Sequence, residues 1–189
     1  MDEPNDLVPD RLPLPAVAHW PNFPFEGDMQ VRPVESYDDR EEPRAGDPGG
    51  KPCIGCTTEE SDYLWTTNRW RLKTLAPFSP LPVSWILETR SHIDINDFDD
   101  DHASELGRLI VKLTKFGESR PEVGRIHTYR WGDGATHFHI WFLGRPFGAH
   151  QLRGLTMPIW GLTLPPLDSS FTDPINQAVI AELSDWTGS

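Results

Sequence analysis

The sequence predicts an α+β fold built on an antiparallel sheet. Several segments have the aromatic and β-branched composition of strands and are joined by short turns. One long amphipathic helix separates two groups of these segments, and another helix is expected near the end of the chain. Because the strands follow one another across short connections while the helices stand apart, we expect antiparallel pairing rather than parallel crossovers.

The strands are predicted from short apolar runs bounded by turns. The first two form a hairpin around the polar residues "TTN", and the last two flank the glycine turn "WGDG". The runs are "YLWTTNRWRLKTLA" (63–76), "VSWILE" (83–88), "GRIHTYR" (124–130) and "HFHIWFL" (137–143).

Residues in the last of these strands alternate between its two faces. His137, His139 and Trp141 therefore share one side, while Phe138 and Ile140 point toward the expected core. Paired histidines on a free face have several uses: metal ligation, nucleophilic catalysis with a supporting group, pH sensing, or simple exposure to water.

Two helices are predicted. The segment 99–119 has acidic residues in its first turn, which favour a helix N-terminus, and apolar residues at helical spacing on one face. These apolar residues are Leu106, Leu109, Ile110, Leu113 and Phe116. The segment 174–186 is expected to begin with Pro174 in its first turn, where proline is well tolerated.

Composition limits the kind of protein. The chain has 189 residues, 37% of them hydrophobic, with eight Trp and nine Phe, which is enough for a substantial core. Its formal charge of −12 argues against a nucleic-acid polymer as partner, but permits a single nucleotide in a local pocket. The start "MDEPNDLVPD" lacks the features of a secretory signal, and no apolar run approaches a membrane span. We therefore expect a soluble, cytoplasmic protein with no membrane partner.

The chain divides at about residue 50. Residues 1–50 are rich in proline and acidic residues, which disfavour regular structure, and residues 51–189 form the expected domain. The first segment also contains Trp20, Phe23 and Phe25, so we expect an extended arm whose aromatic residues dock on the domain or on a partner subunit. The alternative is a disordered leader.

Cys53 and Cys56, in "CIGC", are the two cysteines of the chain. In a reducing compartment this spacing indicates metal binding or redox work. In a redox pair, a strand usually precedes the motif and a helix starts within it, whereas the turn-forming segment "DPGGKP" precedes "CIGC". His92 follows the predicted strand "VSWILE", and His137 begins the predicted strand "HFHIWFL". Together with the cysteines they offer the two thiols and two imidazoles of a tetrahedral zinc site.

The order of "CIGC", "WILETRSHIDINDF" and "GDGATHFHIWFLGRP" resembles the histidine-triad superfamily, including its galactose-1-phosphate uridylyltransferase branch, over residues 51–150. The resemblance implies a histidine-triad-like fold that a structural zinc ion staples together, and a homodimer. It also implies a nucleotide or nucleotide-sugar substrate, with His139 as the nucleophile that attacks its phosphate. The implied zinc ligands are Cys53, Cys56, His92 and His137.

Phosphate-binding residues are expected around the glycine turn. Gly132 and Gly134 allow backbone N–H groups to approach phosphate oxygens, and Arg130 and Thr136 can add donors. Trp141 replaces the third histidine of the triad, which is glutamine in the uridylyltransferase branch, and belongs to the same expected substrate site. An indole has one N–H donor and cannot be protonated.

Three hypotheses follow. The first is a nucleotide phosphate hydrolase or nucleotidyl transferase that forms a covalent nucleotidyl-histidine at His139. The second is a zinc-stapled protein of the same fold that binds a nucleotide or another small ligand without turnover. The third is a different metal chemistry, in which His137 and His139 bind one ion beside His127 or His150.

Overall fold

The computed structural model describes residues 12–33 and 38–188, and it contains one five-stranded antiparallel sheet with helices. The α+β prediction is confirmed. The acidic start of the chain and residues 34–37 lie outside the described residues. The strands are β1 (Trp65–Thr66), β2 (Trp70–Thr74), β3 (Val83–Thr89), β4 (Val123–Tyr129) and β5 (His139–Pro146), in the spatial order β1-β2-β3-β5-β4. The helices are α1 (Ile54–Thr57), α2 (Asp100–Glu118), α3 (Met157–Thr163) and α4 (Ser169–Leu183).

The two faces of the sheet have different surroundings. Alternate residues of the central strands, including Trp85, Leu87 and Phe142, are fully buried with residues of α2 and α4 in the main core. The intervening residues, including Glu88, His139 and Trp141, lie on the opposite face, where a cavity opens. Helices α2 and α4 therefore leave the opposite face available for a site, and Met157 of α3 packs against Leu143 on part of that face.

Helix α2 forms as its sequence pattern predicts. The Asp99 carboxylate caps it by accepting a hydrogen bond from the His102 backbone N–H at 2.8 Å. Leu109 and Leu113 are completely buried, and Gly117 lies in close contact with Ile126 of β4. Side-chain burial on one face thus fixes the helix against the sheet.

Several predicted boundaries are wrong: β5 ends at Pro146 rather than at residue 143, α4 ends at Leu183 rather than at residue 186, and the starts of both elements also differ. Strand β5 begins at His139 rather than at His137, because the Phe138 backbone N–H bonds to the Ile93 carbonyl outside the sheet ladder. Helix α4 begins at Ser169, because the Asp168 side chain caps the Ser170 N–H, so Pro174 lies inside the helix. The buried residues of α4 compensate for the hydrogen bond that proline cannot donate.

The N-terminal segment contacts the domain at two places. The Asn22 carbonyl accepts a hydrogen bond from the Trp160 indole at 2.8 Å, while Trp20 and Phe25 remain about half exposed. Ala45 pairs with Ala135 in an isolated parallel bridge. The arm is therefore attached by polar groups more than by its aromatic rings, and the domain boundary at residue 50 stays a prediction.

Within the described residues, the structure has no helix that is both long enough and apolar enough to cross a lipid bilayer.

Alanine substitutions at two glycines of α2 would distinguish the effect of side-chain packing on stability from the effect of helix propensity. A Cβ at Gly117 would lie 2.7 Å from Ile126 Cδ1, whereas one at Gly107 would meet nothing within 4 Å. Both Gly→Ala changes gain the same intrinsic propensity. We expect Gly117→Ala to be less stable than Gly107→Ala by about 1–3 kcal/mol, the usual cost of overpacking. Urea denaturation of both variants measures the difference, and equal stabilities would contradict this packing.

Candidate functional site

Two thiols and two imidazoles meet at one end of the sheet. The ligand atoms of Cys53, Cys56, His92 and His137 all lie within 4.8 Å of one another. Nδ1 of His92 is 3.2 Å from the Cys56 sulfur, and Nδ1 of His137 is 3.4 Å and 3.6 Å from the Cys53 and Cys56 sulfurs. Zinc bonds of 2.0–2.3 Å in a tetrahedron place neighbouring ligand atoms roughly 3.3–3.8 Å apart, so the donor set fits this ion in chemistry and in size.

Three separate segments bring these groups together. Cys53 is the N-cap of helix α1 and Cys56 lies within it, His92 lies three residues after the end of β3, and His137 lies two residues before β5 begins. The antiparallel pairing of Glu88 with His139 places the end of β3 beside the start of β5. Gly55 is required for the approach of α1, because a Cβ there would lie 2.9 Å from His137 Nδ1.

The tautomer of His137 suits a metal ligand. Its ring is buried, and Nε2 lies 2.7 Å from the Thr89 carbonyl oxygen, an acceptor that fixes the proton on Nε2. The unprotonated Nδ1 then faces the two sulfurs. Burial lowers the pKa of this imidazole and so favours its neutral form. A second ring nitrogen held by a carbonyl is the usual support for a metal-binding histidine.

The closeness of the two thiols favours a cation between them. Burial, followed by the neighbouring Cys53 thiol, raises the pKa of Cys56 above its usual value. Two adjacent thiolates repel each other, whereas a divalent cation between them favours their ionised forms. Both cysteines are free of disulfide bonds.

His139 stands beside this group and has a different environment. Its Nδ1 lies 2.9 Å from the His137 carbonyl oxygen, which makes Nδ1–H the donor and leaves the lone pair on Nε2. Within the described chain, Nε2 has no hydrogen-bond partner. The half-buried ring lines a cavity of about 400 Å³, whose walls include Ile54, Lys73, Leu75 and Ile86. This arrangement presents Nε2 of the imidazole to a ligand.

The predicted phosphate-binding residues are divided between two roles. Gly134 and Trp141 line the His139 cavity, whereas Arg130, Gly132 and Thr136 do not appear among its lining residues in the described chain. Arg130 instead donates to the Asp94 carboxylate at 2.7 Å, and Thr136 donates through its hydroxyl to the Ala45 carbonyl at 3.0 Å. Their phosphate-binding role stays a prediction.

Asp94 organises the loop that precedes β5. Its carboxylate accepts from Arg130 and, at 2.8 Å, from Arg44, which also donates to the Gly132 carbonyl at 3.0 Å. Burial alone would raise the pKa of Asp94, but the hydrogen bonds from the Ile95 backbone and from the two guanidinium groups lower it below its usual value. The N-terminal segment, the glycine turn and the His92 segment are thus held by one carboxylate.

Trp141 occupies the cavity wall next to His139. The two rings are 6.4 Å apart, and the indole also contacts Trp131 edge-on at 5.7 Å. Its Nε1 is buried and has no hydrogen-bond partner. An indole in this place can donate a hydrogen bond but cannot protonate a leaving group.

Sequence reasoning missed two charged residues of the cavity, Lys73 and Glu88. Glu88 pairs directly with His139 across β3 and β5, and Lys73 lies on the neighbouring strand β2. Strand alternation places Arg71, Lys73 and Glu88 on the cavity face, so the alternation was the available signal.

The remaining histidines do not join the metal-binding group. His127 packs beside Tyr129 on β4, and the His150 ring contacts Arg153. Among the described residues, the four-residue group is the one cluster suited to a metal ion. His137 and His139 also direct their Nδ1 atoms to different places, so the geometry does not favour their sharing one ion.

Comparison with known proteins gave matches among solved structures alone. No family model matches the chain, and no curated protein matches it. A histidine-triad protein from Bradyrhizobium japonicum is 16% identical, over 66% of this chain and 90% of that one, with a TM-score of 0.49. A zinc-bound histidine-triad family protein from Mycobacterium smegmatis is 11% identical, over 69% and 91%, with a TM-score of 0.48. A hypothetical histidine-triad nucleotide-binding protein from Sulfolobus tokodaii is 9% identical, over 70% and 89%, with a TM-score of 0.47.

The Asp94 contacts predict a clear contrast between two carboxylates. Asp94 has 11% of its side chain exposed and holds two arginines, whereas Asp101 has 68% exposed and pairs with Arg69. Asp94→Ala leaves two guanidinium groups without their partner, so we expect a loss of about 2 kcal/mol in the free energy of unfolding. Asp101→Ala is expected to cost less than about 1 kcal/mol. Thermal or urea unfolding tests this, and equal losses would contradict the role given to Asp94.

Proposed function

We propose that the chain is a zinc-stapled, histidine-triad-like enzyme that transfers or hydrolyses the phosphate group of a nucleotide or nucleotide-sugar through His139. The observation that carries the proposal is the separation of roles between two neighbouring histidines. His137 turns its free nitrogen toward the thiols, while His139 keeps a lone pair on Nε2 in a cavity. The arrangement combines a rigid support with an available nucleophile.

Cys53, Cys56, His92 and His137 would hold a zinc ion with a structural role. Four protein ligands complete a tetrahedron, so no coordination position remains for substrate. When bound, the ion contributes folding energy by joining α1 to the ends of β3 and β5. The chemistry of catalysis then belongs to the protein side chains.

His139 supplies the nucleophile in this proposal. The His137 carbonyl accepts a hydrogen bond from Nδ1, so in the neutral ring the lone pair lies on Nε2, the nitrogen that attacks phosphorus in this proposal. A nitrogen–phosphorus bond forms, the bond to the leaving group breaks, and that group takes the electron pair and a proton from water. An acceptor hydroxyl then attacks phosphorus and gives its proton to the hydroxide left by the first step, while the nitrogen–phosphorus bond breaks and its electrons return to Nε2.

The cavity supports a ligand of nucleotide size. Its volume of about 400 Å³ lies within the range of small-molecule sites, and Leu75, Ile86 and Trp141 provide apolar walls. Gly134 brings backbone close to the same space. We extend the proposal to a homodimer in the cytoplasm, on the resemblance of the motifs to the histidine-triad superfamily.

A second function is favoured by Trp141. The indole lies beside His139 and has no acidic proton that could assist the departure of a leaving group. A protein of this design can bind a nucleotide without turning it over. The two functions differ in whether a covalent intermediate forms.

The metal proposal predicts about one zinc ion per purified chain. Cys53→Ser removes one ligand and is expected to lower both the zinc content and the unfolding temperature, because structural zinc contributes on the order of 10 kcal/mol to folding. His150→Ala, which changes an exposed histidine outside the group, should retain the metal. Elemental analysis and thermal denaturation measure both effects. A metal-free native protein of unchanged stability would remove the zinc from the proposal.

The nucleophile proposal predicts a phosphorus-labelled protein. Brief incubation with a panel of nucleotides and nucleotide-sugars labelled in the α-phosphate should leave acid-labile label on the native chain and none on His139→Ala. His127→Ala changes another histidine on the same sheet face, outside the cavity walls, and should still be labelled. Quenching in alkaline detergent followed by electrophoresis at neutral or basic pH preserves and detects the label, and a brief acid treatment should remove it. Binding of nucleotides without any label would favour the second function.

A further inference from the structure

The cavity beside His139 contains a charged group that the proposed chemistry has not used. Lys73 is the one lysine or arginine among the cavity walls in the described chain, and only 17% of its side chain is exposed. Its ammonium forms an ion pair with Glu88 at 2.8 Å. Most of this side chain is withdrawn from water, so the lost hydration of its charge must be compensated by a partner.

Glu88 is already committed to several partners. One carboxylate oxygen accepts hydrogen bonds from the Tyr63 hydroxyl and, at 3.1 Å, from Arg71, and the other faces Lys73. Two cations therefore share one carboxylate, so this group carries a net charge of +1 inside a protein whose formal charge is −12. The excess positive charge lies on the cavity face of the sheet.

The position of this charge is fixed from two sides. Arg71 donates to the Gly55 carbonyl at 2.8 Å, which joins the group to the helix that carries the thiols. Glu88 is the direct cross-strand neighbour of His139, and such neighbours have Cβ atoms about 5 Å apart. The ion pair therefore ties the Lys73 ammonium to the residue that lies directly opposite His139 in the sheet.

We propose that Lys73, oriented by Glu88, forms an anion-binding subsite that holds the phosphate group presented to His139. An ammonium has three N–H donors, and Glu88 occupies one direction, so the others can bind phosphate oxygens. The apolar side chains of Leu75 and Ile86 in the same cavity lower the local polarity and strengthen the attraction. This inference rests on the proposed function for the identity of the anion.

The subsite also supplies a positive charge that Trp141 cannot supply. Charge that develops on the phosphate oxygens needs a compensating cation or donor, and the indole provides no charge. Arg130, the basic residue expected near the phosphate, is occupied by Asp94. Lys73 is the cation that remains in the cavity.

Lys73→Met provides the test, because the buried carboxylate keeps its two other donors, Tyr63 and Arg71. The probes are orthophosphate, followed by phosphorus NMR, and AMP and UMP beside adenosine and uridine, followed by calorimetry. We expect Lys73→Met to weaken monophosphate and orthophosphate binding by about tenfold to a hundredfold, with little change for the uncharged nucleosides. Lys73→Arg should retain a large part of the affinity.

A matched control is available on the opposite side of the molecule. Lys112 pairs with Glu182 at 2.6 Å between α2 and α4, so Lys112→Met removes the same charge and an ion pair away from the cavity. It should leave all these affinities unchanged. Unfolding temperature and zinc content of each variant show whether it has folded.

Four results overturn the inference: no binding of any anion to the native protein, equal affinities in Lys73→Met and native protein, an equal loss for nucleosides and monophosphates, or the same loss in Lys112→Met. Failure of the proposed function is distinguishable from these. If anion binding depends on Lys73 but no phosphorus label forms at His139, the subsite stands and the catalytic proposal falls.

Discussion

The meeting of two thiols and two imidazoles at the end of the central strands is the constraint on which the site depends. Cys53 immediately precedes a helix of four residues and Cys56 lies within it, and a helix this short cannot be stable by itself. Its place is set by its contact with His137 through Gly55 and by the Arg71 bond to the Gly55 carbonyl. A tetrahedral ion at this point would fasten all of these segments together.

This constraint determines what the neighbouring histidine can do. The carbonyl of His137 accepts from His139 Nδ1, and the ring of His137 is itself held by the Thr89 carbonyl. The two imidazoles therefore have fixed and different tautomers, although they are two residues apart. Rigid support of one ring gives the other a defined direction, which is the condition for in-line attack on phosphorus.

Much of this arrangement follows from local sequence patterns, and the rest depends on distant partners. The periodicity of α2 and the alternation of β5 are local, so they predict the helix and the cavity face correctly. Arg130 looked free because nothing near it in the sequence indicates Asp94, which lies 36 residues earlier. Lys73 was missed for a similar reason, since its importance comes from Glu88 on another strand. The start of α4 was predicted wrongly because proline usually lies in the first turn of a helix. The N-cap at Asp168 instead places the start five residues before Pro174.

The most direct measurement is X-ray diffraction from crystals at energies just above and below the zinc absorption edge. We expect one anomalous peak per chain, within bonding distance of four ligand atoms: the sulfurs of Cys53 and Cys56 and the Nδ1 atoms of His92 and His137. Nε2 of His139 should lie outside bonding distance and remain open to the cavity. A peak bonded to His139 Nε2, or no peak at the four ligands, would contradict this expectation.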